Sequence, residues 1–152
     1  MDEECTVREV GLIALGVSLV RKQYHQYESA TQESELILRD GLVSAIETFA
    51  RTVLKDQVET FLMTDQKILI MAGEIFIDNR EEAICVYAIC DRAAPEKRVR
   101  EALSRIHTAF LSKYPKVSGV VSLERYSNFA ETIDAILGDL VLRPQDRLDR
   151  LL

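Results

Sequence analysis

Residues Ala83–Cys90 read AICVYAIC, an uncharged run rich in β-branched and aromatic side chains. Such a run suits a strand covered on both faces, and so one in the middle of a sheet. Just upstream, Gln57–Thr64 (QVETFLMT) and Lys67–Ala72 (KILIMA) are most simply a hairpin parted at Asp65-Gln66. Val58–Met63 mixes Glu59 and Thr60 with Phe61 and Leu62, as an edge strand does, whereas Ile68–Ala72 is apolar throughout. After Gly73, the segment Glu74–Asp78 (EIFID) either extends that strand past a bulge or belongs to a longer turn ending at Asn79-Arg80. Both readings stand at this level.

The chain begins with a similar pair. Thr6–Leu15 (TVREVGLIAL) and Val17–His25 (VSLVRKQYH) are parted at Gly16, the expected turn of a first hairpin. The first segment is apolar on both faces from Val10 to Leu15, so it is expected to be central. The second turns polar through Arg21, Lys22 and Gln23, where charge at an edge blocks stray pairing. Between the hairpins, Leu38, Leu42, Ala45, Ile46, Phe49 and Val53 recur at helical spacing and predict a helix over 36–54, with Gly41 allowing close backbone approach.

Downstream of Cys90 the period changes again. Pro95 suits a first helical turn, Val99, Leu103, Ile106, Phe110 and Tyr114 form one stripe, and Pro115 stops the helix. Lys97, Arg98, Arg100, Glu101 and Arg105 fall on its other side, read as a solvated face. A connector, Pro115–Tyr126, contains an extended piece at Gly119–Leu123. Asn128 with Glu131 then offers a capping box for a last helix whose apolar positions are Phe129, Ile133, Ile136, Leu137 and Leu140. The domain is therefore expected over 1–142, with 143–152 (RPQDRLDRLL) as a tail.

Edges at the second and third strands and short hairpin turns are satisfied most simply by a five-stranded, mainly antiparallel sheet of order 2-1-5-4-3. Central strands apolar on both faces need cover on both. The helix at 36–54 is expected on one face and the two C-terminal helices on the other, giving an α/β (α+β) three-layer α-β-α sandwich of order β-β-α-β-β-β-α-α.

Composition narrows the function classes. The chain has 152 residues, 19 Lys+Arg, 25 Asp+Glu and a formal net charge of −6, which disfavours nucleic acid because phosphate backbones are held by clustered cations. It carries six Gly and three Pro, too few for a collagen-like or turn-dominated chain. A chain of this length buries roughly 70% of its unfolded surface and needs no structural metal. The longest apolar candidate, Val10–Val20, is shorter than the roughly 18 residues of a membrane span. Asp2, Glu3 and Glu4 give the start the wrong charge for a secretory signal, so a cytoplasmic location is expected. Cys5, Cys85 and Cys90 lack Cys-x-x-Cys spacing and predict free thiols, the last two on opposite faces of one strand.

The strand order, together with the run Leu38–Ala50 (LRDGLVSAIETFA) and the pair QVETFLMTDQKILIMAG, resembles the longin domain of the profilin-like folds over roughly Val7 to Leu140. It is similar to the stand-alone longin-like proteins of archaea, the Asgard archaea included. That resemblance implies a non-enzymatic interaction module with no cofactor or metal. The implied partners are small Ras-like GTPases or membrane-trafficking proteins, with a homodimer or a heterodimer with another longin or roadblock domain as possible assemblies. Attachment to membranes would then run through partners. By position, the implied binding surface comprises Ser44, Glu47, Thr48 and Arg51 on the first helix and Val58, Thr60 and Leu62 on the third strand. Roadblock domains open with a helix where this chain opens with a hairpin. PAS-type sensors, the other alternative, place several short helices between the second and third strands and leave a ligand cavity on one face.

Catalytic signatures do not emerge. There is no Gly-x-x-x-x-Gly-Lys-Ser/Thr loop and no Gly-x-Ser-x-Gly elbow; Ser44 falls mid-helix. His25 and His107 lie on different elements and read as surface or internally satisfied side chains. Glu3-Glu4 and Glu81-Glu82 read as solubility charges in segments where nothing raises a carboxyl pKa, and Tyr24 and Tyr27 as covers of the sheet edge.

Overall fold

The computed structural model describes residues 6–14, 17–24, 45, 60–117 and 126–142. They form strands β1 (Val7–Ala14), β2 (Val17–Gln23), β3 (Thr60–Leu62), β4 (Gln66–Ile77) and β5 (Arg80–Asp91), then helices α1 (Glu96–Lys113) and α2 (Phe129–Leu137) and a 3-10 turn at Gly138–Val141. The sheet has the expected order, β2-β1-β5-β4-β3, with every neighbouring pair antiparallel. The edges are β2 and β3, and β5 is in the middle.

The choice left open after Gly73 falls to the strand. β4 and β5 pair in one unbroken register from Gln66↔Asp91 to Ile77↔Arg80, and Gly73 faces Ile84 with no bulge. The turn is the two residues Asp78 and Asn79, at φ 49° and 66°. Asp and Asn tolerate this left-handed backbone, and two such residues match the right-handed twist of the flanking strands. The preceding hairpin turns one residue earlier than expected: Gln66 belongs to β4, and Met63 N–H donates to the Gln66 carbonyl at 2.9 Å across Thr64-Asp65.

Side chains alternate between two packed faces. On one, Val10, Leu12, Leu69, Val86 and Ala88 meet Val99, Leu103, Ile106 and Phe110 of α1 and Phe129, Ile133 and Leu137 of α2. Each Val, Leu, Ile or Phe among them, fully buried, contributes roughly 1.5–3 kcal/mol. Phe110 lies edge-on to Phe129 at 5.1 Å and beside Tyr126 at 5.5 Å, which joins the two helices. On the other face Ile13, Ile68, Ile70, Cys85, Tyr87 and Ile89 form a second buried cluster, with Met63 packed on it. Cys85 and Cys90 are free and fall in different clusters, on opposite faces as their odd spacing requires. Cys5, the Gly16 turn, the Gly119–Leu123 piece, the tail and the expected covering helix at 36–54 lie outside the described residues. Within that helix Ala45 alone is described; it is helical and exposed, although the spacing counts it as apolar-face.

One expectation fails locally. Asn128 precedes α2 with helical backbone angles and makes no side-chain cap, so the Asn128–Glu131 capping box does not form. A capping side chain needs an extended backbone at the cap position, and the turn at Tyr126–Asn128 already holds the residue in the helical region. Glu9, inside the first strand, is wholly buried and accepts the Tyr87 hydroxyl at 2.7 Å. Gly11 makes room for that ring: a Cβ there would lie 2.5 Å from Tyr87 Cε1.

Charged groups close the sheet at its other end. Buried Asp91 accepts from Arg8 Nε at 2.6 Å and from the Thr6 N–H at 3.2 Å, and Thr6 Oγ1 donates to the Leu140 carbonyl at 2.9 Å. Lys67, also buried, donates from Nζ to the Ala94 carbonyl at 2.7 Å just ahead of α1. Tyr24 donates its hydroxyl to Asp134 Oδ1 at 2.6 Å and so ties the end of β2 to α2. Burial first, then the bond to and charge of Asp134, push that phenol well above its ordinary pKa.

Candidate functional site

The sheet edge at β3 is where the expected binding residues can be located. Thr60 and Leu62 lie on one side of the strand, opposite Leu69 and Lys67, and Phe61 lies opposite Ile68. Leu69 belongs to the α1-facing core, so Thr60 points toward α1. There its hydroxyl accepts from Arg100 Nη2 at 2.6 Å and donates to Glu96 Oε1 at 2.8 Å. Arg100 also reaches the Ile70 carbonyl at 3.4 Å and stands 3.7 Å from Glu96, one helical turn away. Thr60 is thus committed to holding the edge strand against α1. The basic face of α1 is correspondingly less free than its spacing implies, because Arg98 pairs with Asp139 at 3.0 Å.

Leu62 is 56% exposed and Phe61 39% exposed, so this edge presents apolar surface on both of its faces. Phe61 is an exposed edge residue that the reading from resemblance left out. Its signal was available: two adjacent large apolar residues on an edge strand point to opposite faces, and at the rim of a sheet neither face is fully covered. Ser44, Glu47, Thr48, Arg51 and Val58 lie outside the described residues. The structure therefore places two of the seven expected residues, Thr60 and Leu62, and assigns them different tasks.

A second feature lies at the far end of the β4–β5 hairpin. A groove of about 1020 Å³ is lined there by Gly73, Glu74, Phe76, Glu81, His107 and Pro115, among others. The His107 ring rests over Gly73, where a Cβ would come within 2.6 Å of Nε2, and this nitrogen is 3.4 Å from the Glu74 carbonyl oxygen. Val117 bridges to Ile77 beside it, its N–H donating to the Phe76 carbonyl at 3.1 Å. Glu81 corrects an expectation: a hydrogen bond to Glu74 and the charge of that carboxylate raise its pKa, although it sits in a polar segment. The antiparallel register explains this, since Glu74 faces Ala83 and so lies diagonal to Glu81 on one side of the ribbon.

Among the described residues no group of three or more His, Cys, Asp or Glu side chains is arranged to hold a metal ion, and no helix is long and apolar enough to cross a membrane. The Cys90 thiol is pushed up to about 12, chiefly by burial, which leaves it a poor nucleophile. The chain matches no known family model and no curated protein.

Proposed function

We propose that this protein is a non-enzymatic, longin-like interaction module that binds a small Ras-like GTPase or a membrane-trafficking partner, as an adaptor or regulator in the cytoplasm. The observation that carries the reading is the edge strand β3, whose Phe61 and Leu62 remain 39% and 56% exposed while Arg100 and Glu96 fasten Thr60 behind them. A held, apolar strand edge suits docking: backbone groups pair with an incoming strand and side chains on alternate faces supply selectivity. The strand order β2-β1-β5-β4-β3 is the one on which the resemblance to longin domains rests; PAS-type sensors share it, so it supports the fold and leaves the functional reading to the β3 edge. A partner would complete at β3 what β4 completes on the inner side.

The test is capture of purified small GTPases, loaded with GTP or with GDP, by the full chain and by Leu62→Glu. Capture by the parent that falls at least about tenfold in Leu62→Glu supports the reading, since a charge placed in a docked apolar edge costs at least about 1.4 kcal/mol. Capture that Leu62→Glu leaves unchanged removes the β3 edge. Absence of capture in both nucleotide states removes the GTPase as partner.

A further inference from the structure

The tip of the β4–β5 hairpin is a separate surface. The last β1–β5 pair is Ala14↔Ile84, so residues 80–83 of β5 extend past the end of β1. Ile75 and Ile77 turn into the α1-facing core, which puts Glu74 and Phe76 on the opposite side of the ribbon. Phe76 is directly opposite Glu81 and 54% exposed. An aromatic ring thus stands beside two carboxylates, Glu81 across the ladder and Glu74 two residues back on its own strand. Glu82, opposite Ile75, falls on the α1-facing side of the ribbon. No cation pairs with Glu74, Glu81 or Glu82 among the described residues. A hydrogen bond to Glu74 and the charge of that carboxylate raise the pKa of Glu81, the direction expected of two like charges held close together.

We propose that this tip docks an arginine-bearing basic segment of a partner protein, the guanidinium lying on the Phe76 ring and bridging the Glu74 and Glu81 carboxylates. Charge complementarity selects this occupant. Anionic lipid and nucleic acid would be repelled by the same carboxylates, and a second copy of the chain meeting it about a two-fold axis would set like charges face to face. Arginine fits better than lysine because its planar fork can stack on a ring while donating sideways to two acceptors, whereas an ammonium is a compact, strongly hydrated point charge. The surface is independent of the β3 edge. Phe61 pairs with Ile68, eight residues from Phe76 along β4 or roughly 26 Å at strand rise, so each can fail without the other.

The experiment is fluorescence anisotropy of a labelled, glycine-spaced Arg/Leu decapeptide with the full chain, alongside its Lys/Leu and citrulline/Leu counterparts. The arginine peptide is expected to bind, the lysine peptide about threefold more weakly, and the citrulline peptide not at all. Phe76→Ala should weaken arginine-peptide binding about fivefold and Glu81→Gln about threefold. Glu101→Gln, which removes an exposed carboxylate on α1, should leave it unchanged. Equal losses in Glu81→Gln and Glu101→Gln would reduce the effect to attraction by the net charge and overturn the proposal. So would failure of the arginine peptide to bind the parent, or retention of full affinity in Phe76→Ala. Light scattering on the same samples closes the remaining alternative: Phe76→Ala that lowers only the solution mass would make a second copy the occupant and overturn it as well.

Discussion

The two ends of the β4–β5 hairpin are built from the same two strands in one unbroken register, yet they differ in nearly everything else. At the root, Lys67–Ile70 and Ile84–Asp91 are buried without exception; at the tip, exposure alternates from Glu74 to Ile77. Pairing is continuous in both, so strand pairing does not decide burial. Neighbours do: the root has β1 on one side and β3 on the other, and side chains pack on it from both faces, whereas among the described residues the tip is covered on its α1-facing side. The difference explains why one end supplies the core and the other presents a ring among carboxylates.

The comparison can be broken most forcefully at Leu69 and Phe76, two large apolar residues on one strand. Leu69→Ala should cost about 2–5 kcal/mol in urea denaturation, because a fully buried side chain leaves a cavity, while Phe76→Ala should stay within about 0.5 kcal/mol. Similar losses at both would mean that the tip is covered.

The two tight glycines sharpen it next. Gly11→Ala would press a Cβ against the buried Tyr87 ring, whose hydroxyl is fixed on Glu9, and should cost about 1–3 kcal/mol. Gly73→Ala meets only the end of the half-buried His107 ring, which can swing outward, and should cost less than about 1 kcal/mol. Thermal melts of the two variants compare them directly; a larger loss at Gly73 would make His107 a fixed part of the fold.

The smallest effect belongs to Glu81. Its pKa is raised in the folded protein, so the native state holds this proton more tightly than the unfolded chain does. The associated stability is fully present below the unfolded value of 4.5 and is lost as pH rises through the folded value. Glu81→Gln removes that loss. The variant should therefore unfold at a slightly higher urea concentration than the parent at pH 7, and the gap should close below pH 4. A gap that widens in acid would show that Glu81 is instead stabilised as a carboxylate.

Much of the root is legible from the amino-acid pattern alone. AICVYAIC has no polar position that could face water, and the contrast of Val58–Met63 with Ile68–Ala72 separates an edge strand from an inner one, so the strand order follows from short turns and burial. The tip is not legible in this way, because EIFID fits both a strand and a turn. The register that places Glu74 diagonal to Glu81 exists only once β4 and β5 are paired. Thr60 likewise reads as an edge residue available to a partner; its hydroxyl is taken by Arg100 and Glu96, 40 and 36 residues away. Glu9 escapes notice because burial of a carboxylate depends on a hydroxyl supplied by Tyr87 from another strand.

What the sequence by itself determined is therefore the set of elements that repeat an apolar period: the four longer strands, the stripe of α1 from Val99 to Phe110, and the placing of Cys85 and Cys90 on opposite faces. Those properties are local, since alternation and helical spacing fix which side chains share a face. Only the tertiary structure decided which polar groups are taken and which are open. Arg100, Thr60, Glu9 and Tyr87 are brought together by pairing and packing across long separations, while Phe76, Glu74 and Glu81 share one face because the β4–β5 register sets them there. Hydrogen bonds and exposure are relations between elements, and no single segment encodes them.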